Sequence, residues 1–228
     1  AFGTAIHSAL EQYYKKFKDD SLAPSKDYLL SEFNRALDTA IITKEDFAIY
    51  KEKGIRVLST YFDFNQSSFK LPLATEKNIS AMIGDIAISG KLDRLDWASR
   101  EDKAVRVIDY KTGKGKTMGE IEGTTQNSDG DLLRQLEFYK LLIDSDPGSN
   151  YKFGEAILDF VEEPEAKGKD GQRHILVSDE QVSSLKEQIV ETMTHVRALH
   201  FPRTSDLRKC EKCYFRDHCH PNGLPVAQ

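Results

Sequence analysis

The feature that most constrains this chain is a change of hydrophobic period that happens twice along it. Phe2, Ile6, Leu10, Tyr13 and Phe17 recur at steps of three and four, the period of an amphipathic helix lasting until about Asp19. Two more helices are predicted over 26–40 and 44–65. From Leu71 the texture changes: Met82–Trp97 and Ala104–Lys111 are short β-branched or alternating runs, set apart by Gly and by the polar turn Ala98–Lys103, and read as strands of a meander. Residues 112–130 hold five Gly and four Thr with no long apolar run and predict a mobile loop. Asp131 then caps a helix to about Ile143, and Tyr151–Glu162 and Arg173–Val177 read as further strands. Val182, Leu185, Ile189, Met193, Val196 and Leu199 restore the helical period, with Ser178 or Asp179 as N-cap. Helices on both sides of strands in sequence predict an α/β fold, a mixed central sheet flanked by helices.

The 228 residues, 39% of them hydrophobic, supply one good core or two small ones. The expectation is a single domain over 1–228: a helical part over 1–70, sheet and helix over 71–200, and a cysteine-bearing tail over 201–228. The chain opens at Ala1, without Met and already in a helical pattern, which reads as a piece of a longer protein. Its formal charge of −5 excludes binding of nucleic acid through a globally basic surface, so a polyanion must be met locally. No window approaches the ~18 apolar residues of a membrane span, and no signal peptide opens the chain, so no membrane partner is expected. The three cysteines lie between Cys210 and Cys219, which suits a metal or cluster site in a reducing, cytoplasmic setting. In that setting the Asn-x-Ser triplets at Asn65 and Asn78 are chance matches.

In Ala104–Lys111 the period of two places Val105, Val107, Asp109 and Lys111 on one face, so a carboxylate and an ammonium follow two apolar residues at the strand's exit. Asp93 precedes Asp109 by sixteen residues, the reach of a hairpin that sets the two strands side by side. Asp93 and Asp96 point to opposite faces, so only one can join Asp109, and Asp93 is the choice. Two crowded carboxylates are costly unless a cation lies between them, which implies Mg²⁺ or Mn²⁺. Lys111, one pleat beyond, is placed to orient an attacking water and to offset charge on a phosphate. Gln135 shares a helix face with Leu132, Leu136, Tyr139 and Ile143, and an amide on an apolar stripe needs a partner.

The run Lys111-Thr-Gly-Lys-Gly-Lys-Thr117 ends like a Walker phosphate loop, but Tyr110 stands where that loop needs a glycine, which rejects ATP binding. Lys111, Lys114 and Lys116 instead read as a local positive patch at a cleft mouth where a DNA backbone could enter. A second basic stretch, 197–216, has six Lys or Arg against two acids. It contains Cys210-x₂-Cys213-x₅-Cys219, a knuckle followed by a third thiol. Zinc, completed by His218 or His220, and an iron–sulfur cluster both suit it.

At these residues the sequence resembles the RecB-like branch of the PD-(D/E)XK nucleases, which includes the AddB nuclease domain and CRISPR-associated RecB-like exonucleases. The matching pieces are Gly3-Thr-Ala-Ile-His7, the Gly90-Lys-Leu-Asp93-Arg-Leu-Asp strand, Asp109-Tyr-Lys111-Thr-Gly113, Gln135-Leu-Glu-Phe-Tyr139, and the cysteine run, in the family's order from residue 3 to residue 219. The resemblance implies a restriction-endonuclease-like fold and hydrolysis of DNA phosphodiesters, leaving a 5′-phosphate. His7, Asp93, Asp109 and the main-chain carbonyl of Tyr110 would bind the metal, and Lys111 would be the catalytic lysine. Gln135 would lie beside that centre, and Tyr139 would touch nucleic acid or the active-site wall. The resemblance also favours a [4Fe–4S] cluster on Cys210, Cys213 and Cys219, with a fourth cysteine upstream of Ala1. A helicase subunit or fused helicase in recombinational repair is the implied partner.

A rival reading keeps the fold and the cysteine site but not turnover: a non-catalytic DNA-binding or scaffolding module. A third is a zinc-stabilised interaction domain whose carboxylates are incidental.

Overall fold

Helix α1 (Phe2–Asp20) buries Ala5, Ile6, Ala9, Leu10, Tyr13, Tyr14 and Phe17 along one face and ends at Ser21, which turns left-handed. Helices α2 (Lys26–Asp38) and α3 (Lys44–Asn65) begin at Ser25 and Thr43, whose hydroxyls accept from the amides of Tyr28 and Asp46. The computed structural model describes residues 1–224, so the last four positions of the tail expected over 201–228 lie outside the described residues. The chain divides into two units, Ala1–Lys186 and Glu187–Gln228.

The first unit holds a five-stranded sheet in the order β1-β2-β3-β4-β5. Its strands are β1 (Ala74–Ile83), β2 (Ile86–Ser99), β3 (Ala104–Lys111), β4 (Lys152–Phe160) and β5 (Gln172–Ile175). β1, β2 and β3 form an antiparallel meander, β3 and β4 run parallel, and β5 closes the sheet antiparallel to β4. A parallel pair needs a crossover, which here carries α4 (Met118–Glu122) and α5 (Asp131–Ser145). The mixed sheet and its flanking helices are the expected α/β, restriction-endonuclease-like architecture.

Several local expectations are corrected. Within Met82–Trp97 the chain reverses at Gly84-Asp85, with Ile83 paired to Ile86 and Gly84 at φ 59°. β1 went unrecognised because it is a polar edge strand that buries only Ile79 and Ala81. The 112–130 stretch contains α4, whose Thr117 and Glu120 cap each other reciprocally. Asp131 does not cap α5; Gly130 in left-handed backbone is the N-cap. The short α6 (Glu163–Lys167) follows β4. At α7 (Asp179–Arg197) the cap is Ser178, which accepts from the Gln181 amide while Gln181 accepts from the Ser178 amide.

The helical layer α1–α3 packs on the face of the sheet that presents Ile108, Tyr110, Ile157 and Val161. Buried on this face is a polar group that the sequence did not announce. Arg94 lies 4.1 Å over the Tyr14 ring and donates to the Tyr110 hydroxyl at 2.7 Å and to Asp96 Oδ2 at 2.8 Å. Tyr61 donates to Asp159 at 2.7 Å close by. α5 covers the opposite face through Leu136, Tyr139, Leu142 and Ile143.

The second unit contains the end of α7 and two short helices, α8 (Leu207–Cys210) and α9 (Arg216–Cys219).

Candidate active site

The site forms where β2 and β3 leave the sheet between α1 and α5. Arg94 pairs with Ile108 and Leu95 with Val107, so the same register carried one step outward sets Asp93 across from Asp109. Asp96 is instead 2% exposed and committed to Arg94 on the far face. Asp93 Oδ2 accepts from the Tyr110 amide at 2.9 Å and lies 3.3 Å from His7 Nδ1. Tyr110 thus gives the site its main-chain amide, while its buried ring packs on Tyr14 and Arg94 and meets the His7 ring edge-on at 6.2 Å.

α1 delivers His7 by an unusually close approach. A Cβ on Gly3 would lie 2.8 Å from Thr112 Oγ1, so the glycine is what lets the helix sit directly on the residue that follows Lys111.

On the α5 side four polar side chains close a ring. Lys111 Nζ is 2.6 Å from Asp109 Oδ2 and donates to Gln135 Oε1 at 2.6 Å. Gln135 Nε2 donates to the Tyr139 hydroxyl at 2.8 Å, and that hydroxyl donates to Asp109 Oδ1 at 2.9 Å. The amide on the apolar stripe therefore has its partners, as the cost of an unsatisfied buried group requires. Tyr139 is 6% exposed and belongs to the wall of the site; the expected direct contact with DNA does not suit a ring buried this way.

Electrostatics follow from burial and proximity. Burial pushes the Asp109 carboxyl up and the nearby Asp93 adds to this, while Lys111 pulls it back. His7 is more basic than a free imidazole, first through its hydrogen bond to Asp93 and then, against burial, through the charges of Asp93, Asp109 and Glu76. Burial, then Asp109, raises the Tyr139 phenol far above its ordinary range, so it stays a hydrogen-bond donor.

Glu76 is a residue that sequence reasoning missed. Among the described residues, His7, Glu76 and Asp93 are the three metal-ligating side chains whose donor atoms gather within 4.8 Å of one another; Asp109, turned to Lys111 and Tyr139, is not in that group. β1 pairs Thr75 with Arg94 and Lys77 with Leu92, but the rung between Glu76 and Asp93 is not formed. Glu76 has φ 48°, a left-handed backbone that costs a non-glycine residue about 1–3 kcal/mol. A signal was available: counting back from the Gly84-Asp85 turn puts residue 76 across from residue 93. One imidazole nitrogen and carboxylate oxygens from two strands form a donor set that suits Mg²⁺ or, with the nitrogen, Mn²⁺.

The expected positive patch is divided. Lys111 is inside the site, Lys114 is exposed, and Lys116 is paired at 3.0 Å with Glu120. The Glu120 carboxyl is held down to about 2 by the Thr117 amide and then by Lys116. Arg173 Nε, from β5, donates to the Lys116 carbonyl at 3.0 Å. Gly115 also lies so near Glu163 that a Cβ would fall 2.2 Å from Oε2.

In the second unit Cys210 is buried, Cys219 partly so, and Cys213 exposed. Cys210 Sγ lies 3.9 Å from His220 Nε2. Among the described residues the three thiols are not gathered within 4.8 Å of one another, the spacing that a single zinc ion would impose.

Comparison with known proteins gives the lineage. A Rickettsia bellii (strain RML369-C) protein described as uncharacterized is 25% identical over 127 residues, which are 53% of this chain and 15% of that protein. The chain thus spans a small part of that relative's length. The crystal structure named "Putative exonuclease" from Eubacterium rectale superposes with a TM-score of 0.46 at 12% identity, covering 95% of this chain and 77% of that one. The family model described as the PD-(D/E)XK nuclease superfamily matches residues 1–220, a span that includes every strand and helix contributing to the site. The chain belongs to the PD-(D/E)XK nuclease superfamily.

Proposed function

We propose that this chain is a divalent-metal-dependent deoxyribonuclease of the RecB-like branch that hydrolyses phosphodiester bonds, acting as an exonuclease in DNA repair or recombination. The observation that carries this reading is Lys111, held 2.6 Å from both Asp109 and Gln135 at the exit of β3, with Asp93 and His7 beside it. An ammonium fixed next to converging carboxylates at a strand end serves hydrolysis of an anionic ester better than it serves stability, because such a pair is costly to bury without a task.

His7, Asp93, Asp109 and the Tyr110 carbonyl are assigned to hold Mg²⁺ or Mn²⁺. When bound, the cation supplies Lewis acidity and a bound water of lowered pKa. The rest falls to the chain. Lys111 orients the attacking water and offsets charge gathering on the phosphate. Gln135 fixes the Lys111 ammonium, and Tyr139 fixes Asp109. Lys114 and Lys116 meet the DNA backbone outside the centre. The same reading gives Cys210, Cys213 and Cys219 a stapling [4Fe–4S] cluster or zinc ion, which iron, sulfide and zinc analysis of the protein identifies. It also supplies a helicase subunit or fused helicase as partner and a cytoplasmic setting.

The test is cleavage of end-labelled single- and double-stranded DNA with and without Mn²⁺, beside Asp109→Ala and Lys111→Ala. Metal-dependent cleavage that both variants abolish supports the reading. Cleavage surviving in both overturns the assignment, and binding without any cleavage points to a scaffolding module.

A further inference from the structure

Glu76 has no place in the motifs read from the sequence, yet it is the side chain that completes the only three-donor group among the described residues. It comes from β1, an edge strand, whereas His7 comes from α1 and Asp93 from β2. Its carboxylate is also ion-paired to Lys91, two residues before Asp93 and therefore on the same face of β2. The Lys91 side chain is 55% exposed and the Glu76 side chain 14%. One partner can swing into solvent while the other stays in the wall.

We infer that Glu76 is a further ligand of the active-site cation, supplied by β1, and that Lys91 holds its place when the cation is absent. This rests on the metal-dependent reading above and adds to it a donor and a competing cation. Three observations converge on it. The donor atoms of Glu76, His7 and Asp93 lie within one coordination sphere's reach of each other. The Glu76 backbone gives up a ladder rung and a relaxed φ at the very position that faces Asp93. The charge opposing Glu76 is a flexible lysine rather than a buried one, so a divalent ion can replace it without breaking the core. Exchange of one ammonium for one divalent ion changes no covalent bond and requires only that the Lys91 side chain move outward into water.

The experiment is Mn²⁺ titration of the whole chain by calorimetry and by the loss of the free-Mn²⁺ electron paramagnetic resonance signal. It compares wild type, Glu76→Gln, Lys91→Met and Asp93→Asn, with metal-free melting of each. Loss of a ligand from such a set lowers affinity, so Glu76→Gln is expected to weaken Mn²⁺ binding by about 10–100-fold. Lys91→Met, which removes only the competitor and sits on the surface, is expected to tighten binding several-fold. Glu76→Gln binding as tightly as wild type while Asp93→Asn loses the ion overturns the role of Glu76 and leaves the metal site standing. A wild-type chain that takes up no Mn²⁺ overturns both. Lys91→Met binding unchanged overturns the placeholder role even if Glu76→Gln melts early.

Discussion

Lys111 owes its position to two contacts that are separable. Asp109 offsets its charge, and Gln135 fixes its direction from α5. Removing the ammonium removes charge stabilisation, so Lys111→Ala is expected to lower the cleavage rate by about 10²–10³-fold in an end-labelled DNA assay. Gln135→Ala leaves the ammonium present but unaimed and is expected to lose less, with unchanged melting. Asp96 is the control for this reasoning. It resembles the site aspartates in sequence, but its substitution by Ala strands the buried Arg94, which costs about 3–5 kcal/mol in urea unfolding. Glu163 carries a pH signature. Burial alone would raise its carboxyl, but the hydrogen bonds from Lys167 and Arg173 outweigh that and hold it low. A depressed folded pKa contributes stability that is present above the unfolded value of about 4.5 and is lost as pH falls through the folded value. The stability difference between wild type and Glu163→Gln, measured by urea unfolding, is expected to be largest near neutrality and to shrink below about pH 4.5.

Between elements, glycines mark where two segments come too close for a side chain. Gly54 lies in the middle of α3, and a Cβ there would fall 2.0 Å from the Phe33 ring of α2. Ala is ordinarily the better helix former, yet Gly54→Ala is expected to destabilise by about 1–3 kcal/mol from overpacking, read as a lowered urea midpoint. The sequence made some of this level legible and hid the rest. α1 was readable because its apolar residues follow one helical face without interruption, and β3 because its valines alternate ahead of Asp109 and Lys111. The hairpin of β1 and β2 was hidden by an edge strand whose outer side needs no apolar residues, which is also why Glu76 escaped notice. The Arg94–Asp96 pair was hidden because charged residues in a strand give no sign of being buried when they satisfy each other. The ring through Gln135 and Tyr139 was half visible: their spacing showed a shared face, but which strand residues they meet depends on the crossover. The helical stripe ending in Val196 and Leu199 was legible as a pattern, yet those two are 40% and 80% exposed.

Across the whole molecule, stability is graded by position in the sheet. β3 has a neighbour on each side and buried residues from Val107 to Tyr110, whereas β1 has one neighbour and a missing rung at Glu76. Native-state hydrogen exchange is therefore expected to be slowest for the amides of Val105–Tyr110 and clearly faster in the Ala74–Lys77 end of β1. The parallel pairing of β3 with β4 also sets a schedule for biosynthesis. Asp109 and Lys111 are made early, but Gln135 and Tyr139 follow, and β3 lacks its second neighbour until Lys152–Phe160 has been synthesised. Pairing strands across so long a connection is slow compared with local folding. A half-made chain thus holds the acidic and basic groups without the geometry that joins them, so the site can be assembled only after β4 has been made.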